Sequence, residues 1–100
     1  MDLELKGKSV LITGSSKGIG LACAHAFAAE GANVRLAARS KDLLARAAAE
    51  IAKKYGVRVD THEVDLRAKN AADRLAADAG AIDILVNNAG DIPGGSLVDL

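Results

Sequence analysis

Residues 13–20 read Thr-Gly-Ser-Ser-Lys-Gly-Ile-Gly, three glycines in eight residues, set directly between a short apolar run and a stretch with helical apolar spacing. Glycine is needed where a chain turns tightly from strand to helix, where backbone approaches a pyrophosphate, and where helix and strand pack with no Cβ between them. The helix that follows would offer free N–H groups and the positive end of its dipole to an anion. The feature predicts a strand–loop–helix unit that holds phosphate. On its own it could also mark a plain turn and helix start. Its Gly-x-x-x-Gly-x-Gly spacing differs from Gly-x-Gly-x-x-Gly and from a P-loop, since no Gly-Lys-Ser/Thr follows, which disfavours ATP hydrolysis.

The rest of the chain repeats the alternation that this loop begins. Residues 9–13 form a first buried strand ending at glycine. Residues 18–30 follow as a one-sided helix with Ile19, Ala22, Cys23, Ala26 and Phe27 as its apolar face and Gly31 as a left-handed cap. Residues 33–38 are a second strand. Ser40 caps a long helix whose core face is Leu43, Leu44, Ala47, Ala48, Ile51 and Tyr55, stopped at Gly56. Its other face, with Arg46, Glu50 and Lys54, is solvated. Residues 57–64 partly alternate and predict a third strand nearer the sheet edge. Residues 68–79 predict a helix with Ala68, Ala72, Leu75 and Ala79 on one side, residues 82–86 a fourth strand, and Ser96 the start of another helix. Four strands alternating with helices imply parallel pairing through right-handed crossovers, a doubly wound Rossmann-type α/β fold with helices on both faces.

Composition narrows the partners. The 13 basic and 13 acidic residues cancel, which removes the electrostatic argument for nucleic acid or an anionic membrane and favours a small ligand. With only Phe27 and Tyr55 aromatic, there is no stacking surface for single-stranded bases. One cysteine, Cys23, excludes a disulfide framework and points to a reducing cytoplasm. The N-terminal residues carry neither a basic start nor a continuous apolar stretch, so no signal peptide is expected, and no membrane span is expected either.

Two motifs together carry a family resemblance: Thr-Gly-x-x-x-Gly-Ile-Gly after the first strand and Asn87-Asn88-Ala89-Gly90 after the fourth, with Asp65-Leu66 after the third. The chain resembles the short-chain dehydrogenase/reductase family over essentially all of its 100 residues. The resemblance implies that Gly14, Ser15, Ser16, Lys17, Gly18, Ile19 and Gly20 cradle pyrophosphate and adenosine ribose, and that Asp65 and Leu66 hold adenine. It also implies that Asn88, Ala89 and Gly90 line the adenosine side of a nicotinamide dinucleotide. Asn87 is read instead as a tie between neighbouring strands.

A preference for NAD usually rests on an Asp or Glu at the end of the second strand. Ala38 stands there, followed by Arg39, and Lys17 lies in the glycine loop, so two cations can meet a 2′-phosphate. The expected cofactor is NADP(H). The plain alternative is that both are ordinary surface cations. The family's Tyr-x-x-x-Lys pair, with its serine and asparagine, would lie beyond residue 100. Tyr55 is followed four residues later by Val59 and reads as packing; His25 and His62 have no nucleophile or ligand cluster beside them, and Cys23 reads as an inert core thiol. No catalytic residue and no metal site is expected here.

In the order 3-2-1-4 the fourth strand would be left as an open apolar edge. Residues 1–100 are therefore expected to be the N-terminal part of a single dinucleotide-binding domain of a longer enzyme. That enzyme would act on a small alcohol or carbonyl compound and, by the resemblance, form a homo-oligomer. The competing reading is a stand-alone nucleotide-binding module without chemistry, and a degenerate structural relic is a third. The loop at residues 91–95 either borders the substrate pocket or is a plain turn.

Overall fold

The computed structural model describes residues 5–88 and the backbone of 97–99. Five strands and three helices follow in the order β1 (Ser9–Thr13), α1 (Gly18–Ala29), β2 (Asn33–Ala38), α2 (Lys41–Tyr55), β3 (Val59–Glu63), α3 (Ala71–Ala79), β4 (Ile84–Asn87) and β5 (Leu97–Asp99). They build one sheet in the order β3-β2-β1-β4-β5. The β1/β2, β1/β4 and β2/β3 pairs are parallel. The parallel α/β alternation and the edge position of β3 are as the sequence predicts.

Strands buried on both faces need apolar residues at successive positions, and β1 supplies them. Val10 and Ile12 point to one side with Val34 and Leu36 of β2, where α1 and α2 pack; Leu11 and Ala37 point to the other, where Leu75 and Ala79 of α3 pack. Ile12 and Leu36 are fully buried, and each such side chain contributes roughly 1.5–3 kcal/mol through removal from water. Asp83 fixes the start of β4, accepting from the Ser9 N–H at 2.8 Å while its own N–H donates to the Ser9 carbonyl at 2.9 Å. Ser40 caps α2 by accepting from the Leu43 N–H, and Gly56 ends it in the left-handed conformation. Gly31, just past α1, also has positive φ.

Four expectations are corrected. The buried face of α1 is Gly20, Ala24 and Ala28, not Ile19, Ala22 and Ala26; Ile19 is 73% exposed, and Cys23 and Phe27 are half-buried at the margin of the core. Small residues four apart let α1 lie close on the sheet, so backbone approach outweighs side-chain size. On α2, Leu44, Ala47 and Ile51 are buried while Leu43 is exposed. On α3, the buried residues are Ala71, Leu75 and Ala79; Ala72 is exposed and Ala68 lies in a turn before the helix. Finally, residues 97–99 are a strand rather than helix, pairing antiparallel with β4 in the register Leu85↔Asp99, Val86↔Val98 and Asn87↔Leu97. That pairing covers the β4 edge, where the sequence predicts an open one, and satisfies its backbone. Ser96 itself lies outside the described residues.

Candidate functional site

Parallel strands bring their C-terminal ends to one edge of the sheet, and there the chain forms a cleft of about 530 Å³. Gly14, Ser16 and Lys17 border it from the β1–α1 loop, Ala38, Arg39, Ser40 and Leu43 from the β2–α2 junction, Val64, Asp65, Leu66 and Arg67 from the segment after β3, and Asn88 from the end of β4.

The glycine loop has the geometry that its sequence requires. Gly14 and Gly18 both have positive φ. At Gly20 a Cβ would overlap the Gly14 carbonyl oxygen and sit 2.9 Å from Asn88 Nδ2, so only glycine lets α1 start so close to the turn. Lys17 precedes α1 in an extended conformation, with no side-chain cap and no acidic residue in the first turn. The first N–H groups of α1 are thus left for an anion. By contrast, α2 is capped by Ser40 and carries Asp42 in its first turn.

Two tethers hold the loop to the sheet. Ser15 is fully buried, and its hydroxyl accepts from the Ala37 N–H at 3.0 Å and donates to the Ala37 carbonyl at 3.5 Å. The Gly14 N–H donates to the same carbonyl at 2.8 Å. The Ser15 hydroxyl therefore continues the β1–β2 ladder past the end of β1. The second tether is Thr13, whose Oγ1 donates to Asn87 Oδ1 at 3.0 Å and accepts from the Asn88 N–H at 2.9 Å. Asn87 ties β4 to β1, as its position at the strand end predicts.

Of the residues singled out by sequence, Gly14, Ser16, Lys17, Arg39, Asp65, Leu66 and Asn88 come together around the cleft. Ser15, Gly18, Ile19 and Gly20 do not border it; they shape the loop and the start of α1. Ala89 and Gly90 lie outside the described residues, as does the loop at 91–95. Sequence reasoning missed Ser40 and Leu43 as cleft residues, having assigned them to capping and core, and it missed Arg67. The available signal for Arg67 is a basic residue two positions after Asp65.

Lys17 and Arg39 have no ion-pair partner among the described residues, whereas Asp65 is engaged by Arg67. The Asp65 carboxyl is held below its ordinary value first by the hydrogen bond from the Arg67 side chain, then by that from the Arg67 backbone, with smaller pulls from the charges of Arg67 and Arg39. The cleft thus joins an open helix N-terminus, two uncompensated cations and one ionised carboxylate. That set suits a ligand with phosphate at one end and a hydrogen-bond donor at the other.

Tyr55 and His25 stand elsewhere. The Tyr55 hydroxyl is hydrogen-bonded to His25 Nδ1 at 2.9 Å, joining α2 to α1, and neither residue borders the cleft. No group of three or more potential metal ligands occurs among the described residues, and no helix among them is long and apolar enough to cross a membrane.

The sequence matches the family described as short chain dehydrogenase over residues 8–99. It is 42% identical over 88 residues to a 3-dehydrosphinganine reductase of Arabidopsis thaliana, covering 88% of this chain and 27% of that protein. Among solved structures, the fold superposes with a TM-score of 0.85 on L-sorbose reductase from Gluconobacter frateurii complexed with NADPH and L-sorbose. That match has 46% identity and covers 90% of this chain and 36% of the other. A short-chain dehydrogenase from Sphingobium yanoikuyae in complex with NADPH gives a TM-score of 0.79 at 38% identity, over 83% of this chain and 34% of the other. The chain spans about a quarter of the curated relative and about a third of the solved ones.

Proposed function

The chain belongs to the short chain dehydrogenase family, and from that premise we propose that it is the N-terminal cofactor-binding part of an NADP(H)-dependent oxidoreductase acting on a hydroxyl or carbonyl group of a small molecule. The observation that carries the choice of cofactor is the end of β2. Arg39 and Lys17, both without a carboxylate partner among the described residues, border one cleft, and Ala38 stands where an NAD enzyme would carry an acid. The NADPH held in the complexes of L-sorbose reductase and of the Sphingobium enzyme supports the same reading.

The residues fit the cofactor part by part. The uncapped start of α1 and the glycine loop suit the pyrophosphate, because the missing Cβ at Gly20 lets α1 start against the Gly14 turn and its first N–H groups carry no side-chain cap. Lys17 and Arg39 suit the 2′-phosphate, Arg39 through a bidentate fork. Asp65 suits the adenine amino group as an acceptor, with the Leu66 backbone beside it. Asn88 and the following Ala89 and Gly90 suit the adenosine side. The nicotinamide, when bound, supplies or takes the hydride. The chain's own residues hold the cofactor and, through the Ser15 and Thr13 tethers, fix its position relative to the sheet. The proton donor is assigned to residues beyond these 100, consistent with the place of Tyr55 away from the cleft. The working protein is further proposed to be a cytoplasmic homo-oligomer.

Arg39→Asp tests the assignment. A carboxylate there would repel the 2′-phosphate and accept from a ribose hydroxyl, so the dissociation constant for NADPH is expected to rise at least about tenfold, with preference moving toward NADH. An unchanged NADPH:NADH ratio in fluorescence titrations contradicts it.

A further inference from the structure

Beside the two cations assigned to the 2′-phosphate lies a carboxylate that ought to compete for them. Asp65 borders the same cleft as Arg39 and lies within reach of its charge. The Asp65 carboxylate is already engaged by Arg67. Asp65 Oδ1 accepts from the Arg67 backbone N–H at 3.0 Å and from Arg67 Nε at 3.1 Å, and Oδ2 accepts from an Arg67 Nη at 3.2 Å. This is a side-on, two-pronged pair closed over a short turn, in which the Ala68 N–H also donates to the Asp65 carbonyl at 2.9 Å. The two side chains are 52% and 41% exposed, so such a pair adds little to stability. Three of the carboxylate's roughly four acceptor positions are filled.

We propose that Arg67 is a positioning residue for cofactor discrimination: by occupying the Asp65 carboxylate it keeps Arg39 unpaired for the 2′-phosphate, and it leaves Asp65 one acceptor position for the adenine amino group. The inference rests on the NADP(H) reading of this cleft. Without Arg67, Asp65 carries an uncompensated charge beside the phosphate site and draws Arg39 toward itself. The phosphate then loses a partner and gains a repelling neighbour. Arg67 thus acts through its effect on Asp65 and need not touch the phosphate.

The test is calorimetric binding of two fragments, adenosine 2′,5′-bisphosphate and adenosine 5′-monophosphate, to the full protein and its variants, with no turnover required. Arg67→Met is expected to weaken the bisphosphate about tenfold or more while changing the monophosphate little. The double variant Arg67→Met with Asp65→Asn removes the competing charge and is expected to regain most of the lost preference. Failure of the double variant to recover overturns the inference, since Arg67 would then act only as a further cation on the phosphate. Equal losses for both fragments in Arg67→Met also overturn it, marking a purely structural residue. If the unaltered protein shows no preference for the 2′-phosphate, it is the NADP(H) reading itself that falls.

Discussion

The two faces of the sheet differ in how they are held. On the face packed by α1 and α2, twelve buried residues form a cluster that includes Val10, Ile12, Val34, Leu36, Leu44 and Ile51. On the face packed by α3, among the described residues, the buried cluster is Leu11, Ala37, Leu75 and Ala79. The first face includes α1, the helix proposed to receive the phosphate, seated by Gly20, Ala24 and Ala28. The second carries a polar feature instead: His62 of β3, whose Nε2 is buried without a hydrogen-bond partner among the described residues. The position of the site therefore depends on the first face, while the second is expected to be the softer and more pH-sensitive.

The largest effect that would break this comparison is expected at the seat of α1. Gly20→Ala drives a Cβ into the Gly14 carbonyl, and backbone cannot yield as a flexible side chain can. NADPH binding should weaken by at least about 100-fold, with a loss of stability of about 3 kcal/mol. At Gly18 a Cβ meets nothing within 4 Å and only positive φ opposes it, so Gly18→Ala should cost about 1–2 kcal/mol. Titration and denaturant unfolding of the pair check this; equal losses would mean that close approach is not what Gly20 provides.

Cavity variants sharpen the contrast between the faces. Ile12 is fully buried and Leu75 is 6% exposed at the edge of the smaller cluster. Ile12→Ala is expected to cost about 4 kcal/mol and Leu75→Ala about 2 kcal/mol, because the thinner layer over Leu75 can relax into the space. The reverse order in urea unfolding would remove the distinction.

The smallest effect is electrostatic. Burial first, then the Arg35 guanidinium, hold the His62 imidazole below its ordinary value, against opposing pulls from Asp60 and Asp78. A histidine whose folded value is lowered favours the folded state fully above its unfolded value, about 6.5, and that contribution is lost as pH falls through the lowered value. Tm should therefore decline on acidification from about pH 7 to about pH 5, and His62→Gln should flatten that decline. An identical slope in both proteins would show that His62 is not responsible.

How far the sequence revealed these features depends on which physical force shapes each one. The β-branched run of β1 and the span of β2 are legible to the residue, because apolar side chains stop where the chain meets glycine or Arg39. Ser40 and Gly56 mark the ends of α2 through side-chain capping and the left-handed turn, both local rules. The face of α1 was misread because periodicity weighs Ile19 and Phe27, whereas the close contact is made by Gly20, Ala24 and Ala28, which carry little hydrophobic signal. The start of α3 was placed early because Ala68 continues the alanine spacing, although Asn70 adopts positive φ and delays the helix. Strand β5 was missed because a three-residue run has no measurable period and gains its structure from the β4 edge. Within the site, the glycine loop and Asp65 are visible as motifs. The engagement of Asp65 by Arg67 is a loop geometry with no sequence period.

The central claim is that the cleft at the carboxyl end of β1, β2 and β4 selects a dinucleotide bearing a 2′-phosphate. Its most direct measurement is a fluorescence titration of the protein with NADPH and NADH under identical salt. NADPH is expected to bind at least about tenfold more tightly, as an added charge-assisted phosphate contact implies. Equal affinities, or tighter binding of NADH, would contradict it.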